Sequence, residues 1–229
     1  MDQQLFAAIK GKLIVSCQAL EHEPLFGSAI MARMARAAKE GGAVAIRSNT
    51  PVDIAAIKAE TGLPVVGLLK RDYPDSEVYI TATRKEIDEL MEAGPELIAL
   101  DATRRSRPNG ETLEELVAYM KERGQGIMAD ISTLEEALYA ESLGVDCVST
   151  TLSGYTPYSR QDDGPDFELL QQAAERLSIP VIAEGKIESP EQAARMLELG
   201  AHAVVVGSAI TRPQLITARY AQAMEKVQA

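Results

Sequence analysis

Two apolar segments of this sequence end abruptly in residues that can carry a proton. Lys70 follows the run Pro64–Leu69, and Glu184 follows the run Pro180–Ala183. A lysine held in a crowded apolar environment loses hydration, and both burial and nearby cations favour the neutral amine. A lysine whose pKa falls from about 10.4 toward 7 can accept a proton at neutral pH. We therefore interpret Lys70 as a candidate base.

The sequence does not determine whether Lys70 and Glu184 are charged. We expect Arg47 and Arg71 to be the cations beside Lys70. Burial would keep Glu184 protonated, whereas a contact with Lys186 would keep it ionised. A structural ion pair between Lys70 and Glu184 is the alternative to a catalytic pair.

Two glycine-containing turns predict an anion site. One turn follows Glu184, and the other follows the run Ala203–Val206 and precedes a helix opened by Pro213. Glycine lets the backbone approach a ligand closely, and the N-terminus of a helix attracts negative charge. The predicted phosphate-binding residues are Gly185, Lys186, Gly207, Ser208 and Arg212. Tight turns without a ligand are the alternative interpretation.

The elements that must position these residues are apolar runs separated by helical patterns. The eight runs are Leu13–Cys17, Ala43–Ile46, Pro64–Leu69, Leu97–Leu100, Gly126–Ala129, Asp146–Ser149, Pro180–Ala183 and Ala203–Val206. Strands that are apolar on both faces are typical of parallel sheets covered by helices, and eight of them favour a closed barrel. We predict one (β/α)8 TIM barrel domain over residues 1–229, closed at its bottom by a short helix, Met1–Gly11. A doubly wound open sheet is the alternative, although it lacks the expected G-x-G-x-x-G fingerprint.

Local signals predict where several helices begin. Ser189 with Gln192, and Ser132 with Glu135, have the spacing of capping boxes. The tail Pro213–Val227 predicts one helix or two short ones.

In a (β/α)8 barrel, the residues that follow the strands share the rim where catalytic groups lie. The polar residues predicted at this rim are Gln18, Arg47, Lys70, Asp101, Asp130, Thr150 and Glu184. Any one of them could be a solvated strand end, but their joint occurrence predicts a site. We group Thr151, which follows Thr150, with the substrate-binding candidates.

The composition limits the classes of function. The chain has 229 residues, 46% of them hydrophobic, and a formal net charge of −11, which argues against binding nucleic acid. Cys17 and Cys147 lie in apolar runs, so we expect free thiols in a reducing compartment. Two histidines, His22 and His202, are too few for a histidine-rich metal site, and we expect His202 to be structural. With no secretion signal or membrane span apparent, we expect a cytoplasmic protein.

Seven segments of the sequence carry a resemblance to one enzyme family. They are GGAVAIR, GLLKRDY, YITAT, LIALDAT, TTLSGYT, VIAEGKI and AVVVGSAITRP, and the similarity runs from about Leu13 to Arg212. Together they resemble the N-acylglucosamine-6-phosphate 2-epimerases, also called N-acetylmannosamine-6-phosphate 2-epimerases, of sialic acid breakdown.

The resemblance implies a TIM barrel that converts N-acetylmannosamine 6-phosphate to N-acetylglucosamine 6-phosphate without metal or other cofactor. It implies that Lys70 and Glu184 are the acid–base pair and that Gln18, Arg47 and Asp130 are their active-site neighbours. It also places the phosphate on the GSAITRP segment and the glycine after Glu184. The family resemblance further implies a homodimer.

Alternatives remain at this point. In one division of roles, Glu184 delivers a proton opposite Lys70; in another, a substrate hydroxyl relays the proton and Glu184 acts at the ring oxygen. A lyase or decarboxylase on the same phosphate-binding barrel and a catalytically silent sugar-phosphate sensor are the competing functions.

Overall fold

The computed structural model of this chain describes residues 3–227 and shows eight parallel strands that close into a barrel. The strands are β1 (Leu13–Cys17), β2 (Ala45–Asn49), β3 (Val65–Leu68), β4 (Leu97–Asp101), β5 (Gly126–Asp130), β6 (Cys147–Ser149), β7 (Val181–Ala183) and β8 (Ala203–Val206). The first and last strands close the barrel, because Leu13 of β1 pairs with Val204 of β8. The predicted TIM barrel is confirmed, and the open sheet is wrong.

Helices alternate with the strands and cover the outside of the barrel. They are α1 (Gln3–Ile9), α2 (Ser28–Glu40), α3 (Pro51–Thr61), α4 (Arg84–Ala93), α5 (Leu113–Glu122), α6 (Leu134–Leu143), α7 (Phe167–Arg176), α8 (Pro190–Glu198), α9 (Ser208–Thr211) and α10 (Pro213–Glu225). Short 3₁₀ turns lie at Pro108–Gly110 and Thr150–Leu152. The predicted tail Pro213–Val227 thus forms one helix, α10, and not two short ones.

The N-terminal helix α1 closes the barrel at the end opposite to the strand C-termini. Leu5, Phe6 and Ile9 are buried and belong to the same apolar cluster as the barrel interior. Nε2 of His202 lies 2.8 Å from the Phe6 carbonyl oxygen, and the two rings meet edge to face. The predicted structural role of His202 is therefore confirmed. Met1 and Asp2 of the predicted helix lie outside the described residues.

Strand β2 differs from its prediction in a way that matters for the site. The prediction was Ala43–Ile46, with Arg47 after the strand, whereas β2 extends through Arg47 to Asn49 and all of its residues are buried. Backbone pairing explains the shift, because Arg47 is in register with Ser16 of β1 and Val66 of β3. A charged residue therefore projects from within a strand.

Two predicted capping boxes need correction. Helix α6 is capped by Thr133 with Glu136, one residue later than the predicted Ser132 with Glu135. The Glu136 carboxylate also accepts hydrogen bonds from the backbone and hydroxyl of Ser132. Ser132 and Thr133 therefore both hydrogen-bond to Glu136.

At helix α8 only half of the predicted box forms. The Ser189 hydroxyl accepts a hydrogen bond from the backbone of Gln192, as predicted. The side chain of Gln192, however, accepts from the backbone of Glu188 and not from that of Ser189.

Over residues 3–227, none of the helices has the length and apolar character needed to cross a bilayer. The same residues include no cluster of three or more His, Cys, Asp or Glu side chains arranged to hold a metal ion. Cys17 and Cys147 are buried free thiols, in agreement with the prediction. Burial raises the pKa of Cys17 to about 12, which keeps it protonated.

Candidate active site

A cavity of about 690 Å³ opens at the C-terminal ends of the strands. All but one of the residues predicted to catalyse or to bind substrate or phosphate line it: Gln18, Arg47, Lys70, Thr151, Glu184, Gly185, Lys186, Gly207, Ser208 and Arg212. Asp130 is the exception, because its side chain is fully buried beneath the cavity. The barrel thus brings residues from across the sequence to one rim.

Arg47 lies at the centre of the polar network below this cavity. Its Nη1 and Nη2 atoms lie 3.0 and 2.5 Å from the two carboxylate oxygens of Asp130. Nη1 also lies 2.9 Å from Oε2 of Glu184. Burial alone would lower the pKa of Arg47, but the two carboxylates raise it above its ordinary value. Arg47 is therefore a permanent cation that links β2 to β5 and to the end of β7.

Glu184 follows β7, and the contacts to its carboxyl group go to one of the two carboxyl oxygens. Oε2 accepts from Arg47 and from the Thr151 hydroxyl at 3.0 Å. Burial, supported by the charge of Asp130, raises the pKa of Glu184, although Arg47, Thr151 and Lys70 oppose the shift. The carboxyl therefore holds a proton at higher pH than an exposed glutamate does.

A contact with Lys186 was the condition under which Glu184 would stay ionised, and the structure pairs Lys186 with other groups. Its ammonium group donates to the carbonyl of Asp162 at 3.1 Å and lies 5.6 Å from the ring centre of Tyr155. The charges that act on Glu184 are those of Arg47, Asp130 and Lys70.

Lys70 extends into the cavity immediately after β3. Its backbone N–H donates to the side chain of Asn49 at 2.9 Å, and its backbone forms an antiparallel bridge with Ile80. Burial lowers the pKa of Lys70 to about 8, with Arg47 and Arg212 adding to the shift and Glu184 and Glu23 opposing it. The candidate base thus has a substantial neutral fraction near physiological pH.

Arg71 was expected beside Lys70, and that prediction is wrong. Arg71 instead forms ion pairs with Glu86 and Glu89 of α4. Successive side chains of an extended segment point to opposite sides, so neighbours in sequence cannot both face the cavity. Arg212, which follows α9, supplies the second cation near Lys70.

The predicted phosphate residues line the side of the cavity next to β7 and β8. Gly185 has a φ of 108° and Lys186 a φ of 53°, so the chain turns sharply after Glu184. Gly207 precedes α9, and a Cβ on it would lie 3.3 Å from the Cβ of Ser16. Both turns thus use conformations or spacings that favour glycine.

Arg212 is already paired, which the sequence did not reveal. Its Nε atom lies 2.9 Å from Oε1 of Glu23, and its Nη2 lies 3.1 Å from Oε2. Nη1 donates to the hydroxyl of Ser208 at 3.2 Å. The β1–α2 loop, which contains Glu23, therefore fixes the guanidinium beside the Gly207–Ser208 turn.

The other rim residues have supporting contacts outside the cavity. Asp101 forms an ion pair with Arg105 at 2.6 Å. The hydroxyl of Thr150 donates to the main-chain carbonyl of Glu184 at 2.8 Å. Asp101 and Thr150 therefore support the site from outside the cavity and do not line it.

Gln18 and Tyr79 add polar groups to the cavity wall. The amide nitrogen of Gln18 donates to the Ser16 hydroxyl at 2.8 Å, while its buried oxygen has no partner among the described residues. Tyr79 was missed from the sequence because it lies between β3 and α4 rather than directly after a strand. The quoted YITAT segment was the available signal for it.

Known proteins resemble this chain over most of its length. It matches the profile of a family described as "Putative N-acetylmannosamine-6-phosphate epimerase" over residues 31–226. A protein of Clostridioides difficile (strain 630), named "Putative N-acetylmannosamine-6-phosphate 2-epimerase", is 59% identical over 217 residues, which cover 95% of this chain and 97% of that protein. A protein of the same name from Enterobacter sp. (strain 638) is 60% identical over 221 residues, covering 95% and 94%.

Solved structures give the same result for the fold. The N-acetylmannosamine-6-phosphate 2-epimerase from Clostridium perfringens has a TM-score of 0.94 and 56% identity, with 97% of each chain covered. Thiamine phosphate pyrophosphorylase from Pyrococcus furiosus has a TM-score of 0.60 at 20% identity, with 90% of this chain and 89% of that chain covered. The second likeness shows a shared barrel fold only.

Proposed function

Because this chain belongs to the N-acetylmannosamine-6-phosphate epimerase family, we propose that it interconverts N-acetylmannosamine 6-phosphate and N-acetylglucosamine 6-phosphate. The observation that carries the proposal is the cavity, where Lys70 and Glu184 lie close enough for each to shift the pKa of the other. Burial outweighs this mutual effect: it lowers the pKa of Lys70 and raises that of Glu184, so both move toward neutral pH, as acid–base catalysis requires.

Inversion at C2 of the sugar sets the tasks of the site. The ring must open to the aldehyde, the C2 proton must leave, and a proton must return to the opposite face of the planar enolate. In our proposal, neutral Lys70 removes the proton and protonated Glu184 supplies one from the other side. In the reverse direction, ionised Glu184 is the base and the Lys70 ammonium is the acid.

Negative charge develops on the aldehyde oxygen while C2 is planar. Arg47 lines the cavity, and its buried Nε–H has no partner among the described residues. We assign the positive charge of this guanidinium, which Asp130 and Glu184 hold in place before the reaction begins, to the stabilisation of the oxygen. We propose that the amide oxygen of Gln18, which has no partner among the described residues, accepts a hydrogen bond from the sugar.

The phosphate of the substrate belongs at the Gly185, Lys186, Gly207 and Ser208 segments in this proposal. The backbone N–H groups at the start of α9 and the Arg212 guanidinium are the donors there. The same proposal includes a role in sialic acid breakdown, which the family resemblance implied, and a cytoplasmic setting, which fits the buried free thiols.

Turnover of purified protein with each of the two 6-phosphates, followed by NMR, tests the function. Both substrates should give the same equilibrium mixture. Lys70→Met should lower kcat by about 10²- to 10⁴-fold, because it removes the base and keeps a similar length. Lys85→Met, on the exposed surface of α4, is the matched control and should retain activity. A second product would indicate a lyase, and unchanged turnover in Lys70→Met would contradict the proposed role.

The pH dependence of kcat/KM tests the pairing of the two groups. In the proposed mechanism, Lys70 and Glu184 together carry one transferable proton in the active form. The rate should therefore fall at low pH, where both groups are protonated. It should also fall at high pH, above the Lys70 pKa of about 8, where neither holds a proton. A rate that continues to rise well above that pKa would mean that Lys70 acts without an acid partner.

We also propose that the chain forms a homodimer through one face of α10. No residue of this helix is buried, and Tyr220 and Met224 are exposed by 72% and 67%. Together with the half-buried Ile216 they recur at intervals of four residues and therefore share one helix face. Contiguous exposed apolar residues of this kind mark protein contact surfaces.

Sedimentation equilibrium measures this association directly. The wild type should have twice the chain mass of 24.7 kDa, and Tyr220→Glu should shift it toward the monomer, because a charge in an apolar interface is not solvated. Val52→Glu on α3, where the valine is 66% exposed, is the matched control. A wild-type monomer across the whole concentration range would contradict the dimer.

A further inference from the structure

The hydroxyl of Thr151 lies between two carboxyl groups. Its Oγ1 atom is 2.9 Å from Oδ1 of Asp130 and 3.0 Å from Oε2 of Glu184. It is also 2.8 Å from the hydroxyl of Ser149. A hydroxyl has one hydrogen and two lone pairs, so Thr151 can donate to only one of the carboxyl groups at a time.

The two carboxyl groups differ in how firmly their charge is fixed. Asp130 is fully buried and faces Arg47 with both oxygens, which makes it the constant anion of the network. Glu184 lines the cavity and, in the proposed function, must gain and lose a proton in every cycle. The acceptor strength of Asp130 is therefore steady, whereas that of Glu184 changes.

The contacts of Glu184 leave one oxygen for the reaction. Every hydrogen bond that the described residues give its carboxyl group goes to Oε2, so Oε1 is available to hold the transferred proton. The charged or titratable groups that face Glu184 are Arg47, Asp130, Lys70 and Tyr155. Among the described residues, Arg47 is the one of these four within hydrogen-bonding distance of the Glu184 carboxyl group, and its planar guanidinium, bonded to both carboxyl groups, cannot redirect a single donor as a hydroxyl can.

We propose that Thr151 is a positioning residue whose hydrogen bond alternates between Glu184 and Asp130 as Glu184 loses and regains its proton. When Glu184 is ionised, its Oε2 is the stronger acceptor beside the cavity, and Thr151 donates to it. When a proton sits on Oε1, Asp130 is the stronger acceptor, and the hydroxyl rotates toward it. The Ser149 hydroxyl donates to Thr151 in both states.

This role deepens the proposed function and rests on Glu184 being an acid–base group. It differs from the direct substrate contact that the sequence suggested for Thr151, because the hydroxyl already has three polar partners. Its value for catalysis is that the hydroxyl stabilises Glu184 when it is ionised and still has an acceptor, Asp130, when Glu184 is protonated. The enzyme can then run the same step in either direction.

The pH profile of kcat/KM for Thr151→Val tests the proposal. Valine keeps the shape but removes the donor that stabilises ionised Glu184, so the acid limb should move to higher pH by about one unit, as expected for the loss of one hydrogen bond to a charged group. At optimal pH, kcat should fall about 10- to 100-fold. Thr151→Ser restores the hydroxyl and should return the acid limb to its wild-type position.

Thr150→Val is the matched control. It removes the neighbouring hydroxyl, which bonds to the main chain of Glu184 and not to its carboxyl group. We expect no movement of the acid limb in this variant. An equal loss of rate at every pH in Thr151→Val, or a serine variant that fails to restore the limb, would overturn the proposal.

A second measurement needs no turnover and separates this proposal from the proposed function. Infrared difference spectra against Glu184→Gln follow the protonation of the Glu184 carboxyl group directly. Its midpoint should be higher in Thr151→Val, and in Thr151→Ala if the valine variant does not fold. An unchanged midpoint overturns the role of Thr151 whether or not the protein is an epimerase, whereas a shifted midpoint in an inactive wild type would overturn only the function.

Discussion

The contact between Arg47 and two carboxyl groups is the interaction on which the site depends. A buried guanidinium needs a carboxylate to match its charge. Asp130 from β5 supplies one, and Glu184 after β7 shares the same cation. Burial, together with the charge of Arg47, makes Lys70 lose its proton more easily. Burial, together with the charge of Asp130 and against that of Arg47, makes Glu184 keep its proton more readily.

The barrel makes this arrangement possible because its closure holds distant strands in place. The apolar interior, plugged by α1, supports the strand ends from below, and the polar groups form a thin layer above it. The chain has a net charge of −11, yet Arg47, Lys70, Lys186 and Arg212 concentrate positive charge at one cavity. Screening over about 8 Å at physiological salt separates this local field from the acidic surface. In the proposed function, these cations are the groups that would attract the phosphate of the substrate.

Much of the fold and the position of the site could be predicted from sequence, since apolar runs and capping residues are local signals. The eight strands and most of the rim residues follow from them. The paired state of Arg47 does not, because Asp130 is 83 residues away and a local pattern cannot show a long-range ion pair. For the same reason the neighbour of Lys70 was mistaken: Arg212 reaches it only because β8 closes onto β1. The one-residue error at the α6 cap arose because Ser132 and Thr133 are both suitable caps and share Glu136.

In the proposed mechanism, Lys70 and Glu184 exchange protons with C2 from opposite faces of the sugar. Reaction of N-acetylmannosamine 6-phosphate in deuterated water, stopped at low conversion and analysed by NMR at C2, measures this most directly. With two separate donors, the first product should carry deuterium while the remaining substrate keeps its proton. Equal labelling of substrate and product from the start, or product that retains the original proton, would contradict the two-group account.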